Sequence, residues 1–222
     1  MNDKPRHSVR FRPFFLLCGF LMAASEIWKQ LYLTFGINGG SYDWWYFPFQ
    51  LCSMPMYVLL LLPHAKKGRL RQALLAFLMC YGTLGGIAVF ADTSGLHYPV
   101  VSLTVHSYLW HILQIAVGLL AGIAFRQESG KCRRFRPFAD ASFLYLLFCA
   151  AASLINSLVS PHAAINMFYI NPRYQMTQVI FCLLVPHIGN NAAILTYIGS
   201  TILGAGILFL FWKLMFRHSV DV

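Results

Sequence analysis

An all-α, polytopic membrane helix bundle is the fold class the sequence predicts, and three observations predict it. The 222 residues are 58% hydrophobic and only 11% charged, with a mean hydropathy of +0.60. A soluble domain of this size needs far more charge to cover its surface. Apolar stretches long enough to cross a hydrocarbon core of about 30 Å recur along the chain. The basic residues fall in alternate turns between those stretches. The expectation is one helical domain over residues 1–222, with six transmembrane helices and no separate soluble domain.

The first stretch covers residues 13–35. Basic residues precede it, as in a signal peptide. It is too long for one, however, and carries Glu26 and Lys29 where a cleavable signal shows small residues. An uncleaved first span is expected. The others run roughly over residues 45–62, 71–91, 100–125, 139–159 and 192–212. Residues 174–188, YQMTQVIFCLLVPHI, are apolar but short, and Pro172 and Pro186 bracket them. A short re-entrant or interfacial element is expected there, since such backbone is tolerated where protein or a wet cavity surrounds it. A full crossing would make seven spans.

Charge sets the orientation. Lys4, Arg6, Arg10 and Arg12 precede the first span, and Lys66, Lys67, Arg69 and Arg71 follow the second. Arg126, Lys131, Arg133, Arg134 and Arg136 separate the fourth and fifth, and Lys213 and Arg217 end the last. The opposite turns, residues 36–44, 92–99 and 160–174, carry only Asp43, Asp92 and Arg173. By the positive-inside pattern both termini are cytoplasmic. The formal charge of +10 therefore reads as membrane orientation, not nucleic-acid binding, because no basic face carries stacking aromatics. An integral protein of a bacterial cell membrane, with membrane lipids as its partners, is the expected setting.

The six cysteines, at 18, 52, 80, 132, 149 and 182, form no CxxC pair and no zinc-like His/Cys spacing. No metal, no cofactor and no disulfide framework is expected.

Polar side chains at membrane depth are costly and face the bundle interior, so they are the candidate functional residues. In FPFQLCSMP, residues 47–55, Gln50, Cys52 and Ser53 lie between Pro48 and Pro55, which would interrupt a regular helix on either side. The fourth span supplies His106, Ser107 and His111; the fifth supplies Ser153, Asn156 and Ser157. The following stretch adds His162, Asn166, Tyr169 and Asn171. By the charge pattern, Cys52, His106, Asn156 and Asn166 share the outer half of the membrane, and His111 lies deeper. A buried cysteine is usually a small apolar packer, and histidine or asparagine usually bridges helices. Asn166 alternatively caps a turn. The chemical reading is a Cys52 nucleophile, a histidine base and an orienting asparagine. The two histidines are about 140° apart around a helix, so only one serves as primary base.

Three stretches in order carry a resemblance: FPFQLCSMP, then HSYLWH at 106–111, then NMFYINP at 166–172. Together they resemble the YwaF/TMEM164-like family of integral membrane proteins, over nearly the whole chain. The chain departs from the family pattern at Met167, where a tyrosine is usual, and at LVPHIGNN, residues 184–191, in place of a Gly-Pro-Trp-Pro-Trp-like turn. The resemblance implies transfer of fatty acyl chains between glycerophospholipids through a cysteine thioester. It puts the family cysteine on Cys52 and the asparagine on Asn166. The histidine falls on His111 by its distance to the next cytoplasmic turn, with His106 competing. Gln50, Ser53, Asn156 and Tyr169 would line the substrate pocket. The alternatives are a substrate-capture subunit of a vitamin-type transporter, with Trp44, Trp45 and Tyr46 lining its pocket, and a non-catalytic member of the same family.

Overall fold

The computed structural model describes residues 8–129 and 135–218, and the regular structure among them is helical throughout. Lys4, Arg6, Lys131, Cys132, Arg133 and Arg134 lie outside the described residues. The helices are α1 (Ser8–Leu31), α2 (Met54–Leu61), α3 (Arg69–Phe77), α4 (Thr83–Ala88), α5 (Val101–Ser129), α6 (Arg136–Val159), α7 (Phe181–Ile188) and α8 (Asn190–His218). Among the described residues, five continuous helical stretches are long and apolar enough to cross a membrane: Phe11–Ile37, Arg69–Ala91, Val101–Ser129, Arg136–Val159 and Asn190–Met215. The second of these joins α3 to α4 through a π-helical turn at Leu78–Gly82.

Residues 45–62 do not form the continuous helix expected of a second span. A short 3-10 turn at Trp44–Tyr46 leads into irregular backbone, and regular helix begins only at Met54. The reason is local. Pro48 has no N–H to offer, and Pro55 stands in the first turn of α2, where a missing N–H costs nothing. Between them the chain turns tightly, with the Ser53 and Met54 amides bonded to the Gln50 and Leu51 carbonyls at 2.8 and 3.3 Å. The Tyr57 hydroxyl donates back to the Pro48 carbonyl at 2.9 Å, tying the irregular half to α2. α2 lies against α1, whose Gly19 backs onto Leu59 and Leu60.

α5 is the central helix, packed on α1, α3 and α4. Two of the close approaches around it require glycine. A Cβ on Gly86 of α4 would stand 2.7 Å from Ile115 and 3.1 Å from the His111 carbonyl. One on Gly118 of α5 would stand 3.0 Å from the Leu78 carbonyl in the π turn.

The two ends of the bundle differ in chemistry as the charge pattern predicts. At one end the Arg71 guanidinium forms two 2.8 Å bonds with Glu128 of α5 and donates to the Leu62 carbonyl at 2.9 Å. Beside it Arg69 forms a two-pronged pair with Asp140 of α6, at 2.6 and 2.8 Å. The charge-poor turns meet at the other end, where Tyr46 packs on Tyr98 and Trp45 on Tyr174. There Asp92 accepts the Ser94 amide at 3.0 Å, which holds its carboxyl below the ordinary carboxylate range.

α7 has eight residues, about 12 Å of helix, far less than a crossing needs. Gly189, at φ +81, reverses the chain into α8, and the Phe181 ring packs on Tyr197 of α8 at 5.2 Å. Asn190 accepts the Met176 amide at 2.8 Å and donates to the Tyr174 carbonyl at 2.9 Å. Residues 176–189 therefore leave from and return to the same end of α8.

Candidate functional site

The site begins with the irregular segment before α2. Cys52 sits in its last turn, partly buried. Its carbonyl accepts the Trp110 indole N–H at 3.0 Å, which pins this segment to α5. Ser53, the next residue, is buried. The Tyr98, Tyr169 and Tyr197 phenols come from three other parts of the chain, and each is close enough to interact electrostatically with Cys52.

His106 and His111 both reach this region from α5, in different ways. The His106 ring lies between two indoles, 5.5 Å from Trp28 and 5.7 Å from Trp110, and its buried Nε2 has no hydrogen-bond partner. His106 and Trp110 are four residues apart and share a helix face, the face that touches Cys52. His111 is buried, and its Nδ1 is 2.7 Å from the Ser107 carbonyl. That contact requires the proton on Nδ1 of the neutral ring and leaves Nε2 as the basic nitrogen. Neither imidazole is hydrogen-bonded to the Cys52 sulfur.

The amide side chains do something else. Gln50 donates to the Asn166 carbonyl at 2.9 Å and accepts the Phe168 amide at 2.7 Å. From the other side Asn156 accepts the Met167 amide at 2.7 Å and donates to the Met167 carbonyl at 3.1 Å. The Asn166 side-chain oxygen accepts the Asn171 amide at 3.0 Å, and the Asn171 amide group in turn donates to Ser160 and Ile165. The Asn166 side chain thus closes the loop from 166 to 171. The gripped turn is strained: Phe168 and Tyr169 have φ of +57° and +58°, although neither is glycine. Such residues cost about 1–3 kcal/mol each and persist only where their surroundings enforce them. The result is a fixed turn, buried at Met167 and Phe168, that carries Tyr169.

Asn156→Leu should therefore destabilise the protein by about 2–4 kcal/mol, because it strands a buried N–H and a buried carbonyl of Met167. Asn156→Asp, which keeps the acceptor, should lose less. Thermal denaturation in detergent reads both, and a leucine variant as stable as the parent would show that the clamp does not hold the turn.

Two residues that sequence reasoning used only to argue against a signal peptide belong to this region. Glu26 is 4% exposed, on the inward stripe of α1 with Phe15, Cys18 and Met22. Its carboxylate accepts Lys29 Nζ at 2.8 Å and the Gln30 amide at 2.7 Å. Gln30 also donates to the Tyr46 carbonyl at 2.7 Å, joining α1 to the start of the irregular segment. The signal was present: two ionisable residues three apart in an apolar helix face the interior or pay heavily in lipid.

No group of three His, Cys, Asp or Glu side chains suited to a metal ion occurs among the described residues. No protein-family model, curated protein or solved structure matches the chain.

Proposed function

We propose that the chain is a membrane-embedded, cysteine-dependent acyltransferase acting on glycerophospholipids, a YwaF/TMEM164-like protein with Cys52 as its nucleophile. The observation that carries this reading is the setting of the thiol. Cys52 lies on non-helical backbone, followed by the buried Ser53 and pinned by Trp110 to the helix that carries both histidines, where a packing cysteine would sit inside a regular apolar helix. Six crossings are proposed, the irregular segment with α2 forming the second, and both termini are proposed to be cytoplasmic. Single cysteines replacing Gly68 and Gly95, in an otherwise cysteine-free chain, test the orientation. Labelling from outside is expected at 95 alone, and outside labelling at 68 would reverse the topology.

In the proposed reaction the Cys52 thiol gives its proton to Nε2 of His111. The thiolate then attacks the ester carbonyl of a phospholipid. The S–C bond forms, the ester C–O bond breaks, and the imidazolium protonates the departing lyso-lipid oxygen. In the second half His111 takes the proton of an acceptor hydroxyl, whose oxygen attacks the thioester carbon. The S–C bond breaks, and the thiolate recovers the proton from the imidazolium. In the proposed reaction the Ser53 hydroxyl and the Cys52 amide are the donors for charge on the tetrahedral oxygen. Gln50, Asn156 and Asn166 act by holding the Tyr169 turn.

The test is the intermediate itself. Purified protein incubated with phospholipids should gain the mass of one fatty acyl group that hydroxylamine removes, and Cys52→Ala should show neither the adduct nor transfer. Normal lipid turnover by the alanine variant would end the proposal. Inactivity of the parent across lipid classes, together with tight binding of a small soluble compound, would favour the transporter-subunit reading.

A further inference from the structure

One face of α1 meets one face of α2 across a cleft of about 350 Å³. Ala23, Glu26, Ile27, Gln30 and Leu31 line it from α1, at the three- and four-residue spacing of a single helix face. Met56, Tyr57 and Leu60 line it from α2, with Pro48 from the irregular segment. The cleft is open along Ile27 and Leu31, both exposed. These residues fall within the stretch Phe11–Ile37, long and apolar enough to cross a membrane, so the opening admits hydrocarbon and not bulk water. That volume is in the range of sites that take small ligands.

The polar groups on the cleft have acceptors to spare and no donors. Both bonds that Glu26 makes, from Lys29 and from Gln30, end on Oε1, so Oε2 has no bond among the described residues. The Gln30 amide nitrogen donates to Glu26 and to the Tyr46 carbonyl. Because both partners are acceptors, the nitrogen is the atom that faces them, and the Gln30 side-chain oxygen is left over. Tyr57 spends its proton on the Pro48 carbonyl and keeps only lone pairs. Oxygens bordering hydrocarbon cost free energy unless a donor meets them. Lys29 does not line the cleft, so the charge that borders it is the carboxylate. An ammonium group, with three donors, no acceptor and a positive charge, complements that edge. Lys29 offsets part of the attraction, which confines it to short range.

We propose that this cleft binds a single-chain primary amine, with its ammonium on the acceptors of Glu26, Gln30 and Tyr57 and its hydrocarbon against Ala23, Ile27, Met56 and Leu60. Ala23 and Leu60 lie three residues from Glu26 and Tyr57, about one helical turn deeper than the polar edge, so apolar wall continues past the bound head. The site goes beyond acyl transfer, since no step at Cys52 requires it.

Binding tests it without any turnover. Full-length protein in neutral maltoside micelles at neutral pH, where an alkylamine is protonated, is titrated with dodecylamine and with dodecanol. Intrinsic tryptophan fluorescence reports occupancy. Each ligand is compared between parent and variant, which cancels its partition into micelles. Glu26→Gln should weaken dodecylamine by about tenfold or more, a difference of about 1.4 kcal/mol, and leave dodecanol unchanged. Ala23→Phe, which fills the apolar end of the cleft, should weaken both ligands together. If Glu26→Gln does not fold, the joint replacement Glu26→Gln with Lys29→Gln, which leaves no unpaired charge, is read in the same way. Dodecylamine binding that survives the loss of Glu26, or an equal loss of both ligands on that replacement, overturns the proposal. Binding indifferent to Ala23→Phe, or no saturable binding of dodecylamine by the parent, overturns it as well.

Discussion

Removing the Arg71 guanidinium is expected to destabilise the protein by about 3–5 kcal/mol, the usual consequence of leaving one partner of a buried ion pair without the other. The Arg71 and Glu128 side chains are 6% and 5% exposed. The guanidinium also satisfies the Leu62 carbonyl at the end of α2, so one side chain joins α2, α3 and α5. Arg71→Ala strands the Glu128 carboxylate, while the Leu62 carbonyl keeps the Ala65 amide at 3.2 Å. Replacing both Arg71 and Glu128 by methionine should be much milder, because no charge is then left unpaired. Thermal denaturation of the purified variants measures the difference. A double variant as unstable as Arg71→Ala would mean that the geometry of the pair, and not the stranded charge, sets the cost. By contrast the neighbouring pair contributes little: the Arg69 side chain is 67% exposed, and water competes for Asp140.

His111→Ala is expected to slow formation of the Cys52 adduct and overall transfer by about 10²–10⁴, the range general acid–base groups contribute. The expectation rests on the ring's bond to the Ser107 carbonyl, which orients it and leaves Nε2 basic. His106→Ala should be tolerated better, since that ring is held by stacking between Trp28 and Trp110. Adduct formation followed by intact mass separates the two. If His106→Ala is the slower variant, the unpartnered Nε2 of His106 is the base and His111 is the buttress of α5.

Hydropathy was a reliable guide to the long helices because a bilayer imposes one length and one polarity on any regular crossing. The stretches anticipated at 71–91, 139–159 and 192–212 each fall within a long helix of the structure, and that at 100–125 begins one residue before its helix. The stretch at 45–62 was equally apolar and is not a single helix. Its composition could not show the difference, because Pro48 and Pro55 are compatible with a kinked helix or with extended backbone. The choice rests on whether freed backbone groups find partners elsewhere. Gln30 and Trp110 supply them, meeting the carbonyls of Tyr46 and Cys52 from two other helices.

The polar residues divide in the same way. That Gln50, Cys52, Ser53, His106, His111, Asn156 and Asn166 belong to the interior followed from the cost of exposing them to lipid. What each one touches did not follow. Gln50 finds its partner 116 residues away, in a turn whose left-handed backbone no local propensity favours. Asn166, which looked equally suited to orienting a base, spends its oxygen on Asn171. Glu26 and Lys29 were visible as charges in an apolar helix, and only the packing of α1 on α2 and α5 turned them inward. The sequence by itself determined the solvent, the long helices and the segregation of charge, because those depend on the composition of continuous segments. The tertiary structure decided the break before α2, the clamp on the Tyr169 turn and the company of Cys52. Each of these depends on hydrogen bonds and charges brought together from segments far apart in the chain, which no segment encodes alone.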